Sequence, residues 1–401
     1  MLRDKLTRLS SRIIPPEEIE ITGSEYDRYK TAGDCLNGEI CQRPEGTYIR
    51  ITSDFDPSYA HGDMTIAELN SGAAFKPVNY SNRGEDCPIE RERLLFIDTE
   101  TTGLGGSGTV AFLIGIGSVI GDNFQVRQYF LPDYPDEAAM LEAVREEITP
   151  DSIIVSYNGR AFDMPIIQDR MILHRVERNL EYADHIDLLH STRRLYKRRL
   201  QSCRLSNIER NILSFFRYDD IPGALVPAIY FDWLNTMNTN QLPGVIEHNL
   251  HDIVSLYFLM HRINVSMDTP EEAIYDPDDL YSVARIYEKR KEHERVSGIL
   301  ESFDGIISES GRFDIIFMQS LSYKRRGKLA RAVSLWNEIA EANAPETFHA
   351  LIELAKYYEH RLKDSSLALK AAEKAAVICP STKTAREDIR KRVRRLQNKL
   401  A

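Results

Sequence analysis

Apolar and polar positions change their period twice along this chain, and the changes mark three zones. Residues 1–90 are mixed, with scattered Pro and Gly ("RPEGTYIR", "FDPSYAHGD") and short strand-like pieces. They read as an irregular segment that packs on the next domain. From about residue 91 to 266 strands and helices alternate. Leu94 to Ile97 is a short apolar run, Thr109 to Ile120 a longer one, and "FQVRQYFL" alternates with period two. "DEAAMLEAVREEI" then has helical spacing, "SIIVSY" is a buried strand, "AFDMPIIQDRMIL" begins a helix and "HIDLLH" is a short strand. Three early strands followed by strand–helix units predict an α/β domain whose mixed central sheet has an antiparallel edge and helices on its flanks.

The third zone, residues 276–400, repeats. Tyr287, Tyr323 and Tyr358 are each followed nine or ten residues later by Val296, Ala332 and Ala368. Leu300, Trp336 and Ala372 lie four further on, and Phe303, Ile339 and Ala375 three beyond those. A period of about 35 residues with small and large positions in fixed alternation resembles the tetratricopeptide repeat, an array of helix pairs. The best copy is "LSYKRRGKLARAVSLWNEIA", and a basic helix follows the last one. Such arrays bind partners more often than they catalyse; a plain helical bundle is the alternative.

Composition adds few constraints. The 401 residues are 42% hydrophobic and 28% charged, ordinary for a globular protein of two or three domains. The start, "MLRDKLTRLSSR", lacks the apolar core of a signal peptide, and "TVAFLIGIGSVIG" is too short for a bilayer span, so a cytoplasmic protein without membrane contact is expected. Five cysteines without CxxC spacing argue against a disulfide framework and a zinc knuckle and for reduced thiols, with a metal site of Cys35, Cys41 and Cys87 as the alternative. A net charge of −10 disfavours unspecific binding to nucleic acid, yet "RRLYKRRLQSCR" (Arg193 to Arg204) carries six basic residues and no acid. That run, with Tyr196 inside it, would either guide a single strand by charge and stacking or form a solvated helix face.

The chemistry sits where apolar elements end. "LLFIDTETTGL" places Asp98 and Glu100 two apart on one strand, hence on one face. Side by side, two carboxylates repel, and a divalent cation removes the conflict. A solvated turn is the bland alternative. "SYNGRAFDMP" sets Asp163 near a helix start, and "EHNLHDIVSL" sets His248 and Asp252 on one helical face.

Taken in order, "DTET", "NGRAFD" and "HNLHD" resemble the three motifs of the DEDD exonucleases of the RNase H-like fold. "GSGTVAFLIGIG", "DDIPGALVPAIY" and "EHNLHDIVSL" resemble a bacterial subgroup, the YprB-like RNase H-like proteins, some of which carry a tetratricopeptide region. The resemblance implies an RNase H-like exonuclease domain at 91–266 ahead of the all-α repeats. It also implies a 3′–5′ exonuclease using two Mg²⁺ or Mn²⁺ ions, acting on DNA ahead of RNA, in DNA repair. The ions would be held by Asp98, Glu100, Asp163 and Asp252. His248 stands four before the last Asp, where one branch of the family has Tyr and the other places its His five before. It would be the general base, or else a neutral capping or core histidine. Thr101, Thr102, Gly103 and Leu104 would lie along the terminal nucleotide, with Asn158, Arg160 and Phe162 on the far wall. Asn158 would equally serve as a cap for a helix starting at Ala161. A helicase is the partner the subgroup implies, and the repeats offer a docking surface. An RNA exonuclease and a non-catalytic scaffold using the repeats are the alternatives.

Overall fold

In the computed structural model, residues 23–80, 88–103 and 108–401 are described. Helix α1 (Gly23–Leu36) precedes strands β1 (Glu39–Arg43) and β2 (Gly46–Phe55). The hairpin β3 (Ala60–His61) and β4 (Met64–Thr65) leads into the short helices α2 (Ile66–Ser71) and α3 (Pro77–Tyr80). Strands β5 (Leu94–Thr101), β6 (Ala111–Ile120) and β7 (Asn123–Phe130) run consecutively, before α4 (Glu137–Glu147). β8 (Ile153–Ser156), α5 (Asp163–His174), β9 (Asp184–Asp187) and α6 (Leu188–Tyr196) follow, then α7 (Leu205–Ile212), α8 (Val226–Thr236) and α9 (Leu242–Asp268).

Seven strands form one mixed sheet in the order β1-β2-β7-β6-β5-β8-β9. β5 pairs antiparallel with β6 and parallel with β8, and β8 parallel with β9. The expectation for the N-terminal zone is corrected here. Residues 39–55 are not irregular: β2 pairs with β7 along seven positions and adds β1 at the sheet edge. The signal was the alternation in "GTYIRITSDF", which the surrounding Pro and Gly obscured.

β6 lies at the centre of the sheet and is buried on both faces, which is why its sequence is a continuous apolar run. On one face Leu95, Ile97 and Ile114 join a core with Met140 of α4, Ile167 of α5 and Trp233 of α8. The other face receives α9. There Phe96 packs edge-on against Phe124 and Tyr257, and Phe124 stacks on Tyr257 at 4.7 Å. Burying each such ring contributes roughly 1.5–3 kcal/mol. Helix and sheet approach closely only because β6 has no side chain at Gly115. A Cβ there would lie 2.1 Å from Cδ1 of Ile253 and 2.4 Å from Oδ1 of Asn249, both on α9.

Residues 194–201 and 265–401 form a second compact unit, all-helical. After α10 (Pro270–Ala273) come α11 (Pro277–Lys289), α12 (His293–Ser302), α13 (Asp304–Glu309), α14 (Phe313–Arg325), α15 (Leu329–Glu341), α16 (Thr347–Tyr357), α17 (Ser365–Val377) and α18 (Lys383–Leu400). α11–α12, α14–α15 and α16–α17 are successive helix pairs. Val296, Ala332 and Ala368 are buried in their second helices, as are Leu300, Trp336 and Ala372. In the third pair the small residue follows its Tyr by ten positions instead of nine, and a π-helical turn at Tyr358–Leu362 takes up the extra one.

Residues 194–201 of the basic run belong to this unit, and two of the run's six cations are paired with acids. Arg198 pairs with Asp278 and Asp314, and Arg199 with Asp279 at 2.7 Å. Tyr196 is buried, its hydroxyl 3.1 Å from that of Ser266, so it cannot stack on a base. The acids that pair with Arg198 and Arg199 lie about eighty residues or more downstream, beyond the reach of local sequence reading. No helix among the described residues is long and apolar enough to cross a membrane.

Candidate metal centre

Three separate segments bring acids together at the end of β5. Asp98 and Glu100 project from the sheet face covered by α9, which carries His248 and Asp252. One ligand atom each of Glu100, His248 and Asp252 lie within 4.8 Å of one another. The group is recessed: the side chains of Glu100, His248 and Asp252 are 13%, 16% and 17% exposed. Asp163 begins α5 just past β8, as the sequence predicts, and accepts a hydrogen bond from the Thr99 hydroxyl at 2.5 Å. Gly159 makes room for it, since a Cβ there would meet Oδ2 of Asp163 at 2.9 Å.

The four acids share one electrostatic environment. Burial raises the Asp98 carboxyl well above the usual carboxylate range, and Asp252, Asp163 and Glu100 raise it further. Glu100 is raised well above its usual value by burial and then by Asp252 and Asp163. Asp163 is pushed up to about 6, chiefly by burial, against the lowering effect of the Thr99 hydrogen bond. A recess of oxygen donors, with an imidazole beside them, fits a hard divalent cation, whose charge would offset the repulsion among the carboxylates. Glu100, His248 and Asp252 are placed to hold it; Asp98 and Asp163 lie outside that group.

Several residues that organise this recess were not singled out in the sequence, although Asn249 lies within "HNLHD" and Asp220 within "DDIPGALVPAIY". Asn249 is fully buried on α9, and its Nδ2 donates to Oδ2 of Asp98 at 2.9 Å. Its Oδ1 accepts from Nε2 of Gln128 at 2.9 Å, and Gln128 also donates to the Ile246 carbonyl. Gln128, Gly115 and Asp98 are neighbours across three strands, so one buried relay orients the Asp98 carboxylate. A signal existed: Gln128 and Asn249 each interrupt an apolar row of their own element. Asp220 lies on the loop between α7 and α8, its Oδ1 2.7 Å from Nδ1 of His248. A carboxylate only accepts, so this contact, shorter than the 3.3 Å between Nδ1 and Nη1 of Arg217, takes a hydrogen on Nδ1, which in a neutral ring puts the lone pair on Nε2. That nitrogen stands 3.9 Å from Glu100 and 3.7 Å from Asp252. Arg217 on the same loop pairs with Asp252 and Glu209.

The expected nucleotide-side residues fall less evenly. Thr101 is buried and donates to the Gly103 carbonyl, while Thr102 is tied to Val110 through backbone and side chain. Gly103 is half-buried, and Leu104 lies outside the described residues. Arg160 is largely exposed and donates to the His185 carbonyl. Phe162 packs against the core. The capping alternative for Asn158 is corrected: α5 starts at Asp163, not Ala161, and no side chain caps its N-terminus. Asn158 instead holds a left-handed backbone (φ 71°) with its N–H donated to Asp187. His251 lies edge-on to Phe215, and burial lowers its pKa.

The family model of the RNase H superfamily matches residues 95–264, the segment that carries all of these residues from Asp98 to Asp252. A solved family B DNA polymerase from the archaeon Pyrobaculum calidifontis aligns over 52% of this chain and 30% of its own, with 16% identity. Its TM-score of 0.34 is too low for that likeness to bear on function. The uncharacterized protein YprB of Bacillus subtilis (strain 168) is 34% identical over 358 residues, covering 86% of this chain and 84% of its own length. The chain belongs to the YprB family and carries an RNase H superfamily domain.

Proposed function

We propose that the chain is a divalent-cation-dependent exonuclease of the DEDD type, hydrolysing phosphodiester bonds from the 3′ end, with DNA ahead of RNA as substrate and DNA repair as the setting. The observation that carries this reading is the grouping of Glu100, Asp252 and His248, with one ligand atom of each within 4.8 Å of the others, beside Asp98 and Asp163, whose carboxyls burial raises. Asp98, Glu100, Asp163 and Asp252 would hold Mg²⁺ or Mn²⁺, two ions in the family pattern. When bound, the cation supplies Lewis acidity toward a phosphoryl oxygen and compensates the carboxylate charge.

The chain's own residues do the rest. Asp220 keeps the hydrogen on Nδ1 of His248 and stabilises the imidazolium, so Nε2 can take a proton from an attacking water. The Gln128–Asn249 relay holds Asp98 in one orientation, so little rearrangement is needed when substrate arrives. Gly103 and Arg160 remain open to a nucleotide. The helix pairs, read as tetratricopeptide repeats, would dock a protein partner, a helicase being the one the family resemblance implies.

The test is product release from 5′-labelled and 3′-labelled strands of DNA and RNA in Mn²⁺, Mg²⁺ or EDTA. Stepwise shortening of 5′-labelled DNA, lost in EDTA, is expected. Shortening of RNA alone would move the substrate to RNA. No product from either, with cation bound, would leave the repeats as the working part.

A further inference from the structure

The β3–β4 hairpin lies ahead of residues 95–264, the span of the RNase H superfamily match, and it packs on the loop that serves the metal centre. At its turn Gly62 has φ 68° and no room for a side chain. A Cβ there would lie 1.7 Å from the carbonyl oxygen of Leu213, at the start of the loop between α7 and α8. The Asp63 N–H donates to the same oxygen at 3.3 Å, and the Asp63 carboxylate pairs with Arg262 of α9 at 2.6 Å. His61 is fully buried, its ring stacked on Phe215 of the loop at 3.8 Å and 5.1 Å from Phe258.

Nε2 of His61 lies 2.8 Å from the Ser255 hydroxyl. That hydroxyl gives its one hydrogen to the Glu209 carboxylate at 2.5 Å, so it accepts from Nε2–H of His61. Nδ1 is left with a buried lone pair and no hydrogen-bond partner among the described residues. Burial also lowers the ring's pKa to about 3, which keeps it neutral. A leucine or phenylalanine would fill the same volume without an orphaned nitrogen. What the imidazole adds is one donated hydrogen, aimed at Ser255. From there the bonds run on to the metal centre. Glu209 accepts from Nε of Arg217 at 2.8 Å. The guanidinium donates to Asp252 and stands 3.4 Å from Asp220, whose other oxygen holds His248. We infer that the β3–β4 hairpin is the support of this loop and that His61 is a positioning residue for the metal centre: its Nε2–H fixes Ser255 and Glu209, which fix Arg217 against Asp252 and hold Asp220 on His248. The effect on the loop stands by itself; the effect on turnover rests on the proposed nuclease function.

The experiment pairs amide hydrogen exchange of the full chain in EDTA with steady-state kinetics on end-labelled DNA in Mn²⁺. His61→Leu should raise exchange in residues 213–222 by about tenfold or more while β5 stays protected. His61→Gln, whose side-chain amide can place an N–H where Nε2–H stands, should restore the protection. The leucine variant should lose about 10- to 100-fold in kcat with KM unchanged, and the glutamine variant should regain it. Unchanged exchange in His61→Leu overturns the support. Equal loosening by leucine and glutamine assigns the effect to packing of the ring and overturns the hydrogen-bond role. A loosened loop with unaltered kcat overturns the positioning role. If the wild type releases no product, the nuclease reading fails and exchange alone decides the support. If circular dichroism shows His61→Leu unfolded, Ser255→Ala, which keeps the ring and removes the hydroxyl, decides by the same readouts.

Discussion

Glu100 in the α/β unit and Glu359 in the helical unit are both withdrawn from water, and their surroundings are opposite. Glu359 is 1% exposed and sits among cations: Arg395 at 2.5 Å, Lys399 at 2.6 Å and Arg392 at 3.5 Å, all from α18. The hydrogen bonds from Lys399 and Arg395 outweigh its burial and hold its pKa below the usual range. Glu353 is treated the same way by Lys324 and Lys356. Glu100 has its pKa driven up by burial first and then by Asp252 and Asp163, with Arg217 as partial relief. Acids whose work is structural are matched with bases from the chain itself. Those at the end of β5 are left in mutual repulsion, a strain that a folded protein keeps where an external cation is to complete the site. The basic helix α18 spends three of its cations on that one glutamate.

Breaking the contrast at its centre has the largest expected effect. Asp98→Asn removes a charge that the recess repels, so turnover should fall by roughly 10²- to 10³-fold or more in the end-labelled assay. Thermal stability at pH 8 in EDTA should hold or rise, by about 1 kcal/mol per pKa unit of repulsion relieved.

pH sharpens the contrast, because the two groups of acids have shifts of opposite sign. Asp98, Glu100 and Asp163 have folded pKa values above their unfolded ones. Their contribution is fully present below about pH 4, near the unfolded values, and is lost as pH rises through the folded values, about 6 for Asp163. Glu353 and Glu359 have lowered values, so their contribution is present above the unfolded pKa and is lost as pH falls through the folded one. Melts between pH 4 and 8 in EDTA should show the α/β unit weakening as the pH rises and the helical unit weakening as it falls. Mn²⁺ should restore the α/β unit at pH 8 by about 2.7 kcal/mol at a concentration one hundred times its Kd, and far less at pH 5, where protons compete. A Mn²⁺ shift equal at both pH values would show that these carboxylates are not the ligands.

The smallest effect is expected from the relay. Gln128→Leu keeps the apolar row of β7 but removes the donor to Asn249. Activity should fall by about 10- to 100-fold through a misoriented Asp98, with the melting curve little changed; a rise in KM alone would place Gln128 outside the catalytic geometry.

The order of elements was legible in the sequence because it is local. Apolar runs ended by acids, the shift from period two to helical spacing, and the 35-residue recurrence of small and large positions all follow from neighbours in the chain, so the α/β zone and the helical zone could be told apart. "DTET", "NGRAFD" and "HNLHD" likewise marked Asp98, Glu100, Asp163, His248 and Asp252 as candidates. What the sequence could not reveal were partners across distance. The pairing of β2 with β7, the relay from Gln128 through Asn249 to Asp98, Asp220 beside His248, and Arg217 clamped on Glu209 and Asp252 join residues that no periodicity links. The same limit made Tyr196 and Arg198 look free when packing had already buried one and neutralised the other. Local pattern specifies which face of an element is apolar; which charge meets which is set only when the faces close on each other, because Coulomb and hydrogen-bond energies depend on distance in space and not along the chain.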